Sequence, residues 1–220
     1  MNARFSPKLV IFDCDGVLVD SEHLAASVFV GALADFGLRL GVDEAIGIFA
    51  GLTAAEDVTI AEGMLGRKLP DDFWPTMQAR TYKVFEDELQ PVRGARALVK
   101  ALVEKDIRVC VASSGAQEKM KLTLGVTGLA SLFGPDIFSA EEVGVGKPAP
   151  DLFLYAARRM GFPPDQCLVI EDSLPGIEAA LAARMPVILL DTDGRFPESV
   201  KDVVKVDNLS QVHELAGFSG

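Results

Sequence analysis

The sequence predicts an α/β protein with a doubly wound parallel sheet and an all-helical insertion. Three observations carry this prediction. Residues 9–12 form an apolar, β-prone run of the kind that is buried on both faces of a parallel sheet. Similar short runs follow later in the chain and alternate with helical patterns, which indicates right-handed βαβ units. Residues 21–90 interrupt the alternation and contain no comparable run.

Five further runs are predicted as strands, and helices are predicted between them. The strands are residues 109–112, 137–138, 167–170, 187–190 and a weaker 203–206. Apolar residues recur at the i, i+3, i+4, i+7 spacing of a helix in two sets, Ala95, Leu98, Val99, Leu102 and Phe153, Ala156, Ala157, Met160.

The insertion is too long for a loop and shows helical spacing of its own. One stripe comprises Ala25, Phe29, Ala32 and Phe36, and a second comprises Phe73, Met77, Arg80 and Val84. Residues 53–56, Thr-Ala-Ala-Glu, have the form of a capping box that opens a helix. We therefore predict a core domain from residues 1–20 and 91–220, and a helical domain from residues 21–90.

The charge balance narrows the possible partners. The 220 residues carry 21 Lys and Arg against 32 Asp and Glu, for a net charge of −11. This argues against nucleic-acid binding, which needs a basic face. A site for a phosphorylated anion would therefore need local positive charge from a metal or from placed basic residues.

The cysteines and the N-terminal residues suggest a cytoplasmic protein. Cys14, Cys110 and Cys167 all lie in apolar runs, which is typical of reduced thiols in a core. No long apolar segment precedes Asp13, so we expect neither a signal peptide nor a membrane span.

The first predicted strand ends in two carboxylates, Asp13 and Asp15, followed by Gly16. Ligands of open α/β sheets bind at the carboxyl ends of strands, and glycine permits a sharp turn there. Acids and glycine also form ordinary turns, so this segment alone does not decide between a site and a turn.

Three other strand ends carry polar groups that could join such a site. Ser113 and Ser114 follow the second strand, with Gln117 completing a possible helix start that could hold phosphate oxygens or form a plain N-cap. Lys147 is either a solvated loop lysine or a point charge for a phosphoryl group. Glu171 and Asp172 suit Mg²⁺ coordination, or alternatively the N-terminus of a helix.

These residues resemble the haloacid dehalogenase-like (HAD) hydrolase superfamily, in its phosphoglycolate phosphatase and β-phosphoglucomutase-like branch. The four motifs of that family are matched by residues 13–22, by Ser113, by residues 147–151 and by residues 171–173. The match extends over essentially the whole chain. Residues 12–22, together with residues 85–89 before Gly94, look most like bacterial sugar-phosphate phosphatases of the 6-phosphogluconate type. The resemblance implies a Rossmann-like core with a helical cap.

The resemblance also implies roles for the motif residues. Asp13 would be the nucleophile that forms an aspartyl-phosphate, and Asp15 the general acid and then base. Ser113 and Lys147 would bind the phosphoryl group, with help from the Ser114 N–H. The implied cofactor is Mg²⁺, bound by Asp13, the Asp15 backbone carbonyl, Asp172 and Glu171.

The implied activity is a Mg²⁺-dependent phosphatase acting on a small phosphorylated metabolite, a sugar phosphate or sugar-acid phosphate. One alternative is a β-phosphoglucomutase-type sugar phosphomutase. The family's mutases carry a His and basic residues in the cap where this chain has Ala25, Ala50 and Ala54, and His23 is out of register by two residues. Another alternative is a catalytically inactive binding protein, which would not need to retain all four motifs.

Substrate specificity is expected to reside in the cap, around Gly51 and Thr53. Basic residues of the cap are further candidates, although a solvated helix face explains each of them as well; these are Arg67, Lys68, Arg80 and Lys83. We expect a cytoplasmic monomer or weak homodimer that binds neither nucleic acid nor membranes.

Overall fold

A computed structural model describes residues 6–49, 53–197, 200 and 203–215 of the chain. The chain divides into two compact units. The core unit comprises Met1–Val19 and Pro91–Gly220, and the cap unit comprises Asp20–Gln90. The core unit holds all the strands found among the described residues.

The core unit is built on a six-stranded sheet in which every pairing is parallel. The strands are β1 (Leu9–Phe12), β2 (Arg108–Ser113), β3 (Ile137–Ser139), β4 (Cys167–Glu171), β5 (Val187–Leu190) and β6 (Val204–Val206). Their order is β3-β2-β1-β4-β5-β6, which places β1 in the middle. Phe12 lies opposite Val111 of β2 and Ile170 of β4, so the carboxyl ends of these three strands lie side by side, within two residues of one another. The predicted parallel α/β sheet is confirmed.

Ten α-helices lie in the described parts of the chain, four in the cap unit and six in the core unit. They are α1 (Glu22–Ala34), α2 (Val42–Phe49), α3 (Ala54–Leu65), α4 (Phe73–Glu88), α5 (Ala95–Glu104), α6 (Gln117–Val126), α7 (Ala130–Phe133), α8 (Asp151–Met160), α9 (Leu174–Ala182) and α10 (Leu209–Leu215).

The sheet of the core unit is covered on both faces. Leu9 and Ile11 of β1 belong to a buried cluster with residues of α8 and α9. Phe12 meets the ring of Phe133 in α7 edge to face at 5.9 Å. Because successive residues of a strand point to opposite faces, these contacts account for the fully buried β1. The arrangement confirms the Rossmann-like, doubly wound architecture.

The cap unit has an apolar core of its own, in which Phe29 packs against Phe49 and Phe73. The prediction for the second stripe was partly wrong. Helix α4 buries Phe73 and Met77 as expected, but then Thr81 and Phe85, so the buried positions recur every four residues. Arg80 is exposed and pairs with Asp35 at 3.0 Å, because it lies on the flank of that stripe.

Two predictions concern the residues at which helices begin, at Thr53 and at Ser114. Thr53 and Glu56 form the predicted capping box at α3. The predicted start at Ser114 is wrong, because α6 begins at Gln117 with Ala116 as its N-cap. The Gln117 backbone N–H donates instead to the Glu141 carboxylate at 3.1 Å.

The three cysteines are buried free thiols, as predicted. Along the described ranges, none of the helices has the length and apolar character to cross a bilayer.

Candidate active site

The candidate site lies at the carboxyl edge of the sheet, where β1 meets its two neighbours. The Asp13 backbone N–H donates to the Ile170 carbonyl of β4 at 3.0 Å, so the nucleophile candidate sits directly beyond the buried strand. The chain then turns: Gly16 has φ +74°, and its N–H donates to the Val19 carbonyl at 2.9 Å. A residue with a side chain is strained at such a φ, so glycine suits this turn.

Lys147 links two of the predicted acidic residues, Asp13 and Glu171. Its ammonium donates one hydrogen bond to the Asp13 carboxylate and another to Glu171 Oε1 at 2.5 Å. The Lys147 side chain is only 5% exposed and lies 5.0 Å from the ring centre of Phe153. Burial alone would lower the pKa of Lys147, but the charges of Asp13 and Glu171 outweigh it and raise that pKa. The lysine is therefore held as a cation.

Asp13 is buried beside other carboxylates, which disfavours its charged form. Burial raises the pKa of its carboxyl above the usual range, and the negative charges of Glu171 and Asp15 act in the same direction. Lys147 opposes the rise without cancelling it. One lysine shared between two buried carboxylates leaves Asp13 short of positive charge.

Glu171 is fixed by the start of α9. Its Oε2 accepts hydrogen bonds from the Asp172 N–H at 2.8 Å, the Ser173 N–H at 2.9 Å and the Ser173 hydroxyl at 2.9 Å. A Cβ on Gly176 would lie 1.8 Å from Glu171 Oε1, so only glycine leaves room for this carboxylate. With Oε1 bound to Lys147, both oxygens of Glu171 face protein donors.

Asp172 leans over the turn that follows Asp15. Its Oδ2 lies 2.1 Å from the position that a Cβ on Gly16 would occupy, so the glycine also makes space here. The same Oδ2 accepts a hydrogen bond from the Arg195 guanidinium at 3.2 Å.

The end of β2 and the first turn of α6 bring the Ser113 hydroxyl and a second lysine, Lys119, to the site. Ser113 is buried, and its Oγ accepts the Gly115 N–H at 3.2 Å. A Cβ on Gly115 would lie 3.6 Å from both Asp15 Oδ2 and Ser113 Oγ, so these groups are close neighbours. Lys119 of α6 donates to Asp15 Oδ2 at 2.8 Å. Burial alone would lower the pKa of Lys119, but Asp15 outweighs it and raises that pKa.

The residues present fit a hard divalent cation. Along the described chain, His, Cys, Asp and Glu side chains form no group of three or more that could hold a metal by themselves. Mg²⁺ commonly takes one or two carboxylates and completes its shell with carbonyls, water and substrate oxygens. Asp172 packed against the Asp15–Gly16 turn, beside an under-compensated Asp13, supplies such a donor set. Both carboxylate oxygens of Glu171 accept hydrogen bonds from protein donors.

The core unit thus brings together seven of the nine predicted site residues, in one connected set of strand ends. These are Asp13, Asp15, Ser113, Ser114, Lys147, Glu171 and Asp172. Ser114 is exposed, and a Cβ on Gly146 would lie 3.8 Å from its hydroxyl, which places it beside the Lys147 loop. Their individual roles stay predictions.

The two predicted cap residues do not gain a role from the geometry. Gly51 lies outside the described residues. The Thr53 hydroxyl donates to Glu56 Oε2 at 2.7 Å in the capping box. The four basic candidates all contact groups within the cap, namely Arg67 with the Phe36 carbonyl, Lys68 with Glu62, Arg80 with Asp35, and Lys83 with Glu86 and Asp87.

Two charged residues at the site, Lys119 and Arg195, were not predicted from the sequence. Lys119 is one of several charges on α6, so its position alone gave no signal. Arg195 had a signal: it follows β5 in the polar segment 191–195, a further polar strand end of the kind already used for β1, β2 and β4.

Comparison with known proteins places this geometry in a family. The family model for haloacid dehalogenase-like hydrolases matches residues 7–184. The chain belongs to that family. As a haloacid dehalogenase-like hydrolase it is an enzyme, and the predicted recognition is confirmed.

Individual relatives resemble nearly the whole of this haloacid dehalogenase-like chain. The 6-phosphogluconate phosphatase of Escherichia coli is 30% identical over 94% of the chain and 93% of its own length. A HAD family hydrolase of Deinococcus radiodurans, solved with bound phosphate and sodium, has a TM-score of 0.80 at 29% identity, covering 97% of this chain and 96% of its own. A putative β-phosphoglucomutase of Thermotoga maritima has a TM-score of 0.78 at 25% identity, covering 94% and 98%.

Proposed function

We propose that the protein is a Mg²⁺-dependent phosphatase that hydrolyses a small phosphorylated metabolite through an aspartyl-phosphate. The observation that carries the proposal is the buried Asp13, held by Lys147 beside Asp15 and lacking full charge compensation. A carboxylate in that position is oriented for attack and suited to an additional positive charge.

In the first step, one Asp13 oxygen attacks phosphorus in line with the leaving group. A bond forms between phosphorus and this oxygen, and the bond to the substrate's ester oxygen breaks. Asp15, in its protonated form, donates its proton to the departing alkoxide. Lys147 and the Ser113 hydroxyl stabilise the charge on the phosphoryl oxygens, which is the largest electrostatic demand of the step.

In the second step, Asp15 accepts a proton from a water molecule that attacks the phosphorus. The bond between phosphorus and Asp13 breaks, inorganic phosphate leaves, and the Asp13 carboxylate and protonated Asp15 are restored. Lys119, bound to Asp15, lies where it can orient that carboxyl between the two steps.

The cation would be held by the carboxylates of Asp13 and Asp172 and by the Asp15 backbone carbonyl. When bound, it supplies the positive charge that this acidic chain lacks around the phosphoryl group. Glu171 would act behind these ligands by fixing Lys147 and the start of α9.

The proposed substrate class is a sugar phosphate or sugar-acid phosphate. It is supported by the 6-phosphogluconate phosphatase of E. coli, which aligns over almost the full chain. Specificity would come from the cap, as the resemblance implies. Reaction of β-glucose 1-phosphate and its bisphosphate to glucose 6-phosphate, faster than phosphate release, would assign the chain to the mutases instead.

Asp13→Asn tests the proposed chemistry. We expect phosphate release from p-nitrophenyl phosphate with Mg²⁺ to fall at least about 10³-fold, because the amide cannot attack phosphorus. Asp165→Asn changes an exposed aspartate just before the amino end of β4, away from the site; it is the matched control and should keep full activity. Full activity of Asp13→Asn would exclude the mechanism. A panel of sugar phosphates, sugar-acid phosphates, polyol phosphates and nucleotides then identifies the substrate.

A further inference from the structure

The loop after β5 has a shape imposed by a single buried carboxylate, Asp191. Asp191 Oδ1 accepts the Arg195 N–H at 2.7 Å, and Oδ2 accepts the Phe196 N–H at 3.2 Å. Lys205 of β6 donates to Asp191 Oδ2 at 3.0 Å and to the Phe196 carbonyl at 3.1 Å. Backbone groups and a buried ion pair therefore fix the position of the Arg195 main chain.

This fixed loop presents the Arg195 guanidinium to the candidate metal site. The guanidinium lies 3.2 Å from Asp172 Oδ2, with the side chains 32% and 15% exposed. Asp172 Oδ2 is also the oxygen nearest the Gly16 turn, at 2.1 Å from a Cβ position there. Arg195 therefore contacts the Asp172 oxygen that lies nearest the Asp15–Gly16 turn, where the proposed cation would bind.

The charges around the site explain why a cationic side chain is placed there. Asp13, Asp15, Glu171 and Asp172 bring four carboxylates together, and Lys119 and Lys147 are the lysines that contact them. Arg195 adds a third positive charge, at Asp172. A divalent cation on the same oxygen would repel the guanidinium, so the two compete.

We propose that Arg195 occupies Asp172 while the metal is absent and leaves it when Mg²⁺ binds. Arg195 is then a built-in competitor that stabilises the metal-free acidic cluster and weakens Mg²⁺ affinity. The inference rests on the proposed function, since it requires a cation at Asp172. It assigns to Arg195 a positioning role in metal binding rather than contact with the reacting atoms.

Isothermal titration calorimetry with Mg²⁺ tests the competition directly, without any substrate. We expect Arg195→Gln to bind Mg²⁺ about three- to fivefold more tightly than wild type, the scale of a partly exposed ion pair. Arg108→Gln is the matched control. Arg108, at the amino end of β2, forms an exposed ion pair with Asp136 at an N–O distance of 3.1 Å. Loss of this ion pair should leave Mg²⁺ affinity unchanged.

A double-mutant cycle in metal-free buffer tests the contact itself. Arg195→Gln should lower the thermal midpoint of the wild type by a few degrees, and should not lower it when Asp172→Asn is already present. In saturating Mg²⁺ the midpoints of wild type and Arg195→Gln should coincide, because the metal has then replaced the guanidinium.

The outcomes separate this inference from the proposed function. If wild type binds Mg²⁺ but Arg195→Gln binds it equally or more weakly, the competition is overturned while the phosphatase proposal stands. If wild type binds no Mg²⁺, the proposed metal dependence fails and takes the competition with it. An equal midpoint loss from Arg195→Gln in the presence and absence of Asp172→Asn also contradicts the inference.

Discussion

Two lysine–carboxylate networks lie at the ends of neighbouring strands, and they differ in how completely their charges are balanced. At the carboxyl end of β4, Lys147 forms ion pairs with both Asp13 and Glu171. Beyond β5, Lys205 serves Asp191 alone among the ion pairs described. The side chains of Lys147 and Lys205 are 5% and 18% exposed, and each network joins residues from different strands and loops.

The pKa shifts of the two aspartates go in opposite directions. Burial alone would raise the pKa of Asp191, but hydrogen bonds from Lys205 and the N–H groups of Arg195 and Phe196 outweigh it and lower that pKa. At Asp13 burial raises the pKa, and Lys147 offsets only part of the rise. Asp191 is thus satisfied within the chain, whereas Asp13 lacks positive charge. Under the proposed function, this difference separates a structural ion pair from a site that takes up another cation.

The largest expected effect comes from Lys147→Met. Removing the ammonium leaves Asp13 and Glu171 buried and facing each other, so we expect the free energy of unfolding in metal-free buffer to fall by about 3–5 kcal/mol. Phosphatase activity should fall at least about 10³-fold, because in the proposed mechanism Lys147 stabilises the charge on the phosphoryl group. Urea denaturation and p-nitrophenyl phosphate assays measure the two effects.

Mg²⁺ sharpens that experiment. A bound cation should restore part of the stability lost in Lys147→Met, since it replaces the missing positive charge near Asp13. A Mg²⁺-independent stability loss, or substantial remaining activity, would show that Lys147 is structural in the same sense as Lys205.

Asp191→Asn gives the contrasting, smaller effect. We expect a loss of about 2 kcal/mol at pH 7, because an amide pairs poorly with Lys205 and cannot accept from all three donors. The lowered pKa of Asp191 contributes stability that is present above its ordinary pKa of 3.8 and is lost as pH falls through the lower folded value. The difference in thermal midpoint between wild type and Asp191→Asn should therefore shrink below about pH 4. A difference that is constant from pH 7 to pH 3 would contradict this account.

The sequence predicted most of the core because its signals are local. The apolar runs that became β1 to β6 and the polar residues directly after three of them can be read without knowing the contacts. Parallel strands then bring Asp13, Ser113 and Glu171 to one edge of the sheet as a matter of topology. Asp13, Lys147 and Asp172 also match family motifs, which made a shared chemistry predictable.

Contacts between distant segments were not predictable in this way. Arg195 reaches Asp172 because Asp191 and Lys205 fix its loop, and no spacing in the sequence encodes that bend. The place of Glu171 behind the site depends on hydrogen bonds from the turn that opens α9, which the motif alone does not show. In the cap, Thr81 rather than Arg80 is buried because the helix face is set by its packing partners.

The smallest predicted effect concerns the space that Gly176 leaves for Glu171, next to the Lys147 network. In Gly176→Ala the new Cβ would lie 1.8 Å from Glu171 Oε1, so the carboxylate must move away from Lys147 or from its α9 donors. We expect a loss of about 1–2 kcal/mol, together with lower activity, because Lys147 loses its orientation. Gly125→Ala is the matched control, since its Cβ in α6 would meet no atom within 4 Å and alanine favours a helix by about 0.5–1 kcal/mol. If Gly176→Ala and Gly125→Ala were equally stable and active, the close packing of Gly176 would not hold Glu171 in place. The balance of charge at Asp13 would then depend on Lys147 alone.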